Sequence, residues 1–139
     1  MEVVYNMKLE ILLKPQQLTS EIKALQIERD TLRSYAENST SVLSLAPGHG
    51  QGVNRSFENV MTKVADLDTL IERKKKELEE TNDLIINETS KLSNSTHRTI
   101  IRMRHVMLKS WDEIAATIGY EVRYCQKIAN NARKLLATI

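Results

Sequence analysis

The stretch Ser110–Lys134, SWDEIAATIGYEVRYCQKIANNARK, decides how this chain is read. Ser110 stands three residues before Glu113, the spacing at which each side chain satisfies a backbone amide left free at a helix start. Trp111, Ile114, Ala115 and Ile118 then recur at helical intervals, so one short helix carries one apolar face. Gly119 follows where a left-handed turn calls for a residue without a β-carbon. Val122, Cys125, Ile128 and Ala129 restart the period, and Ala132, Leu135 and Leu136 carry it onward. A short helix, a turn of about three or four residues and a second helix make a helix-turn-helix plan.

The outer face of the second helix holds Arg123, Tyr124, Gln126, Lys127, Asn130 and Asn131, none of which is needed to cover a core. A merely solvated face mixes Glu with Lys, yet no acid occurs between Val122 and Ile139. Arg and Lys bond guanine edges, and Asn and Gln pair with adenine. The face is therefore read as a contact for double-stranded DNA. Arg123, Gln126 and Lys127 are the first base or groove contacts expected, and Asn130 is the next. Arg133, Lys134, Arg98 and Arg102 are expected at phosphates, which hold a reader in register.

Immediately upstream, Ser93-Asn94-Ser95-Thr96 ends one helix and caps another. The spacing predicts a helix from Thr96 to Met107, with Ile100, Ile101 and Val106 or Met107 inward and Arg98, Arg102 and Arg104 outward. With that helix in place, residues 97–136 resemble region 4 of the bacterial sigma-70 family. The resemblance is carried by Ile100, Ile101 and Met107, by Trp111-Asp112-Glu113-Ile114-Ala115, by Gly119-Tyr120, and by Cys125, Ile128 and Ala132. Where that family often caps the recognition helix with Ser or Thr, this chain has Glu121, an acid that favours a helix start through the dipole. As a whole the chain is similar to small phage and prophage proteins that place a helical hairpin before such a domain. Among them are the ArpU- and RinA-type late-gene activators and related families of unassigned function. The resemblance implies a DNA-binding activator of phage or prophage late genes and permits contact with RNA polymerase.

In the N-terminal part, Leu18, Ile22, Leu25, Leu32 and Ala36 follow steps of four and three, with Arg29 as the one polar seam position. This helix is expected to run to Val42 or Leu45. Residues 1–14 read equally as helix or extended chain, and Pro15 predicts a helix start or a kink. Three of the four glycines and one of the two prolines fall in residues 46–54, which read as a loop. No Gly-Lys-Ser/Thr ending follows, so the loop is no phosphate cradle. A second long helix is expected from Asn54 or Ser56. Its seam is Phe57, Val60, Val64, Leu67, Ile71, Leu78, Ile85 and Leu92, interrupted by Lys74, Thr81 and Glu88. The two helices are predicted to fold back as an antiparallel, coiled-coil-like hairpin. Two helices alone bury little apolar area, and Ile27, Met61, Leu70 and Ile86 lie off the seam. A partner is implied, most simply a second copy of this chain in a homo-oligomer, a dimer first. The rival is packing of the hairpin onto the C-terminal part.

The bulk numbers agree with an all-α chain. Of 139 residues only four are Gly, two Pro and one Phe, too few for a turn-rich β fold. Charge is uneven: residues 95–139 carry net +5 and residues 1–94 net −3, the distribution of a basic reader on a helical scaffold. The reading divides the chain into a hairpin and oligomerisation region, 1–93, and a DNA-binding domain, 94–139.

Chemistry finds little support. The single cysteine, Cys125, excludes an internal disulfide and sits at a core position. His97 and His105 are spaced about 12 Å apart along a helix, too far to share an ion easily, so no metal or cofactor is expected. The carboxylates lie among lysines on helix exteriors, and no nucleophile is set beside a base, so no enzyme is expected. No run approaches the roughly 20 apolar residues of a membrane span, and the opening MEVVYNMKLE is no signal peptide. A cytoplasmic protein without membrane contact is expected. The leading function is a sequence-specific transcriptional regulator. The alternatives are a protein-interaction module that binds RNA polymerase or another protein, and a packaging protein of the small-terminase kind.

Overall fold

The structure, a computed structural model, describes the backbone of residues 2–44 and 50–139 and the side chains of residues 9–38 and 55–139. Its elements are α1 (Glu2–Ser44), α2 (Gly50–Thr89), α3 (Ser95–Ile101), a π-helical turn (Arg102–Val106), α4 (Trp111–Ile118) and α5 (Val122–Thr138). Among the described residues there is no strand.

Two departures concern the long helices. Of the two readings of the N-terminal residues the helical one describes residues 2–14, and no helix starts near Pro15: α1 runs through it from Glu2. The proline lacks the amide that would bond the carbonyl four residues back, and its ring is fully buried. Helix α2 begins at Gly50 and not at Asn54 or Ser56. Adding residues to an existing helix end is far less costly than nucleating a new one, so two glycines do not stop it. The expected loop therefore narrows, and its residues 46–49 lie outside the described residues.

The chain forms two compact units: Ser20–Lys76, and Met1–Thr19 together with Glu77–Ile139. In the first unit α1 and α2 are antiparallel. Glu21 pairs with Lys74 at 3.1 Å, and Arg29 Nη1 donates to Asp68 at 3.0 Å, with Arg33 also 3.6 Å from Asp68. Ile22, Ala36, Val64 and Ile71 are buried along the seam, with Leu25, Leu32 and Leu67 half-buried. The polar seam residue Arg29 thus faces an acid on α2. Exposed ion pairs contribute well under about 1 kcal/mol each, so the apolar seam stabilises the pair while the charges fix its register. Ile27, off the seam, is 67% exposed.

The second unit holds two apolar clusters. Ile100, Met103, Ile114, Cys125 and Ala129 form one, flanked by Trp111, Ala115, Ile118 and Ile128. Leu12, Ile85, Leu92, Ile101, Ala132 and Leu136 form the other. Neighbouring residues of α3, Ile100 and Ile101, serve different clusters, and α5 passes from one to the other along its length. The division at residue 93 consequently does not coincide with the packing, because Leu12, Ile85 and Leu92 cover the inner side of α3 and α5. In this unit the rival expectation, hairpin against C-terminal part, describes the packing.

The helix predicted from Thr96 to Met107 is interrupted. Asn94 caps α3, its Oδ1 accepting from the amides of Thr96 and His97. After Ile101 the bonding widens, and the Met107 amide donates to Arg102 O at 2.9 Å. A π turn contains one residue more than an α turn, so the inward face slips. Met103 and His105 are buried, whereas Met107, a candidate for the core, is 57% exposed.

Candidate nucleic-acid interface

Helix α4 starts as its sequence demands. Glu113 N donates to Ser110 Oγ at 3.2 Å, and Ser110 N donates to Glu113 Oε2 at 3.1 Å. It ends at Gly119, whose φ of +86° is left-handed and whose amide donates to Ala115 O at 2.8 Å. Tyr120 and Glu121 complete the turn. Glu121 occupies the N-cap of α5 but makes no side-chain capping bond, and Cys125 N donates to its carbonyl at 3.0 Å. The entry to α4 is braced by Arg104, which lies 4.7 Å from the centre of the Trp111 ring and donates through Nη1 to Lys109 O at 3.0 Å. The fully buried Cys125, Ala129 and Ala132 seat α5 against α3 and α4.

With that face inward, the opposite one is set by helical geometry. Arg123, Lys127, Asn130 and Lys134, in steps of four, three and four, form one exposed stripe. Tyr124 and Asn131 are exposed on one flank, and Gln126 is half-buried on the other. Six of the ten residues expected at DNA are therefore exposed along α5, with Gln126 partly so.

The remaining three, all arginines, are turned onto the protein. Arg98 Nη1 donates to Leu92 O at 2.6 Å. Arg102 donates through Nε to Thr89 Oγ1 at 3.0 Å and through Nη2 to Ser90 Oγ at 3.1 Å and Ile86 O at 3.4 Å. Both guanidiniums thereby bond groups at and just beyond the end of α2. Arg133 donates through Nη1 to Asn130 Oδ1 at 2.8 Å and through Nε to His105 Nε2 at 3.1 Å. These carbonyl and hydroxyl partners lie up to 16 residues away, or 28 in the case of His105, so the arginines' outward spacing gave no sign of them.

His105 has an assignment that residue spacing did not suggest. Its Nδ1 lies 2.9 Å from Leu12 O, which can only accept, so Nδ1 carries the proton and Nε2 accepts from Arg133. Burial first and then the charge of Arg133 push its pKa down to about 4, against an upward pull from the hydrogen bond to the Leu12 carbonyl, with Arg104 adding the least. Burial also lowers the pKa of Arg133, with Arg104 adding to the effect. The buried imidazole thus stays neutral and joins α1, the π turn and α5.

Among the described residues no group of three or more His, Cys, Asp or Glu side chains is gathered closely enough to hold a metal ion. Among them, too, no helix is long and apolar enough to cross a membrane. Comparison with protein-family models, with curated proteins and with solved structures finds no match to this chain.

Proposed function

We propose that the chain is a sequence-specific binder of double-stranded DNA that regulates transcription. The observation that carries this reading is the exposed, acid-free face of α5, mounted after a capped short helix and a left-handed glycine. In this reading α4 and α5 are a helix-turn-helix, and α5 enters the major groove. Arg123, Gln126 and Asn130 offer the donors and amides that discriminate bases, while Lys127 and Lys134 add charge. The setting, activation of late genes of a phage or prophage, rests on the resemblance of residues 97–136 to sigma-70 region 4. Self-association belongs to the same proposal, since a dimer would present two copies of α5 to a two-fold symmetric site.

The test is selection from random-sequence and phage-genome duplexes at several salt concentrations, with an Arg123→Ala/Gln126→Ala/Lys127→Ala variant beside the wild type. The wild type should enrich particular duplexes, with affinity falling steeply as salt rises. The folded variant should lose the enrichment. Absence of duplex binding by the wild type at low salt would overturn the reading and leave a protein-interaction module in its place.

A further inference from the structure

Beside the exposed stripe of α5 lies an open cleft of about 330 Å³. It is lined by Asn94, Thr96 and His97 around the start of α3, by Tyr120, and on α5 by Tyr124, Lys127 and Asn131. On α5 those last three recur at steps of three and four, so they share the flank that faces the start of α3. The tyrosine rings meet edge to face, 5.0 Å between centroids, and each residue is about half exposed, Tyr120 at 48% and Tyr124 at 50%. No carboxylate lines the cleft. The amides of Thr96 and His97 are already taken by Asn94 Oδ1, so the donors on offer are side chains: an ammonium, two phenols, two carboxamides, a hydroxyl and an imidazole. That combination suits an anion with an apolar neighbour, as a phosphodiester with its sugar provides.

We propose that this cleft seats one backbone phosphate and its deoxyribose from the same duplex whose major groove receives α5. The inference rests on the reading of α5 as the groove-entering helix. Lys127 supplies the charge, Tyr120, Tyr124 and Asn131 supply hydrogen bonds, and the tyrosine rings pack on the sugar. Lys127 is then a sequence-independent contact, and base reading passes to Arg123, Gln126 and Asn130. The cleft also takes the backbone-holding role expected of Arg98 and Arg102, whose guanidiniums are bonded to the end of α2.

The experiment uses a duplex that the full-length wild type selects from a random pool, and an unrelated duplex of equal length. Lys127→Gln, a change on an exposed helix face, is compared with wild type for affinity, salt dependence and interference by phosphate ethylation. Affinity should fall by a similar factor on both duplexes, and the slope of log affinity against log salt should shrink by about 1. One ethylated phosphate that weakens the wild type should cease to matter to the variant. Tyr120→Phe/Tyr124→Phe, which removes only two hydroxyls, should blunt interference at that same phosphate.

A Lys127→Gln variant that changes the preferred sequence while keeping the salt slope would make Lys127 a base reader and overturn the proposal. Unchanged affinity, slope and interference would overturn it as well, as would a tyrosine effect at a different phosphate. If wild type binds duplex DNA normally in those cases, the regulator reading survives. If wild type binds no duplex even at low salt, both fall together.

Discussion

The Nε of Arg133 donates to Nε2 of His105 at 3.1 Å, so a guanidinium on α5 is held by a buried neutral imidazole in the π turn. The other ring nitrogen donates to Leu12 O on α1. Three segments distant in sequence thus meet at one side chain whose neutral form alone fits the site, since a doubly protonated ring would point an N–H at the arginine.

Acid should therefore weaken the fold through His105. Its native pKa of about 4 lies below the ordinary 6.5, so the unfolded chain takes up the proton first. The stabilisation is full above about pH 6.5 and is lost as pH falls towards 4. At 1.36 kcal/mol per unit the shift corresponds to about 3 kcal/mol at most. Urea denaturation at pH 7, 5.5 and 4.5 should show a steeper loss for wild type than for His105→Gln, whose side chain does not titrate.

Arg102→Ala should act on stability and not on nucleic-acid binding. It removes the donors to Thr89 Oγ1 and Ser90 Oγ and leaves the fully buried Thr89 one partner short. Loss of a charged hydrogen-bond donor at such a site costs about 1.5–3 kcal/mol. Thermal denaturation should reveal the loss, while the salt slope of duplex binding, measured on the folded variant, should match wild type.

Gly119→Ala should destabilise by about 1–2 kcal/mol, the cost of a left-handed residue that carries a β-carbon. A β-carbon there would meet no atom within 4 Å, so the penalty comes from φ of +86° alone and not from a clash. Gly119→Asn should cost less, since asparagine tolerates this conformation better. Ranking the three proteins by denaturation midpoint tests both statements.

Leu12→Ala should loosen the C-terminal helices, although residue 12 lies far from them in sequence. Leu12 is 3% exposed in the cluster with Ile101, Ala132 and Leu136. Truncating a buried leucine costs about 2–5 kcal/mol. Amide hydrogen exchange should accelerate in α3 and in the second half of α5. Protection confined to its normal value there would show that the cluster does not support them.

Much of this was legible in advance, and the reasons differ by element. The seam of α2, from Val64 through Ile71 to Ile85, is a long periodic signal, and all three are buried, as is Leu92, which the same period placed in the helix and which lies three residues past its end. Ser110, Glu113 and Gly119 announce α4 because caps act within one turn of chain. Cys125 lies in the core where its spacing put it. The π turn was not legible, because Arg102–Val106 contains no glycine or proline and the slip is only one residue. The inward turn of Arg98, Arg102 and Arg133 was equally hidden. Outward spacing on a helix says where a side chain starts, and a long arginine can reach back to a carbonyl that only folding brings near. For the α5 face, residue types and exposure agree along Arg123, Lys127, Asn130 and Lys134.

The cluster that joins Leu12 to Leu136 also orders events in time. The ribosome makes Leu12 long before α5 exists, so until α3 and α5 emerge its apolar side has only Ile85 and Leu92 of the cluster to cover it. Contacts between residues this far apart in sequence raise the contact order, which slows folding. The unit that holds α5 can therefore close only when nearly all of the described chain is available, and a transcript cut short upstream of α5 would yield helices with an uncovered apolar edge.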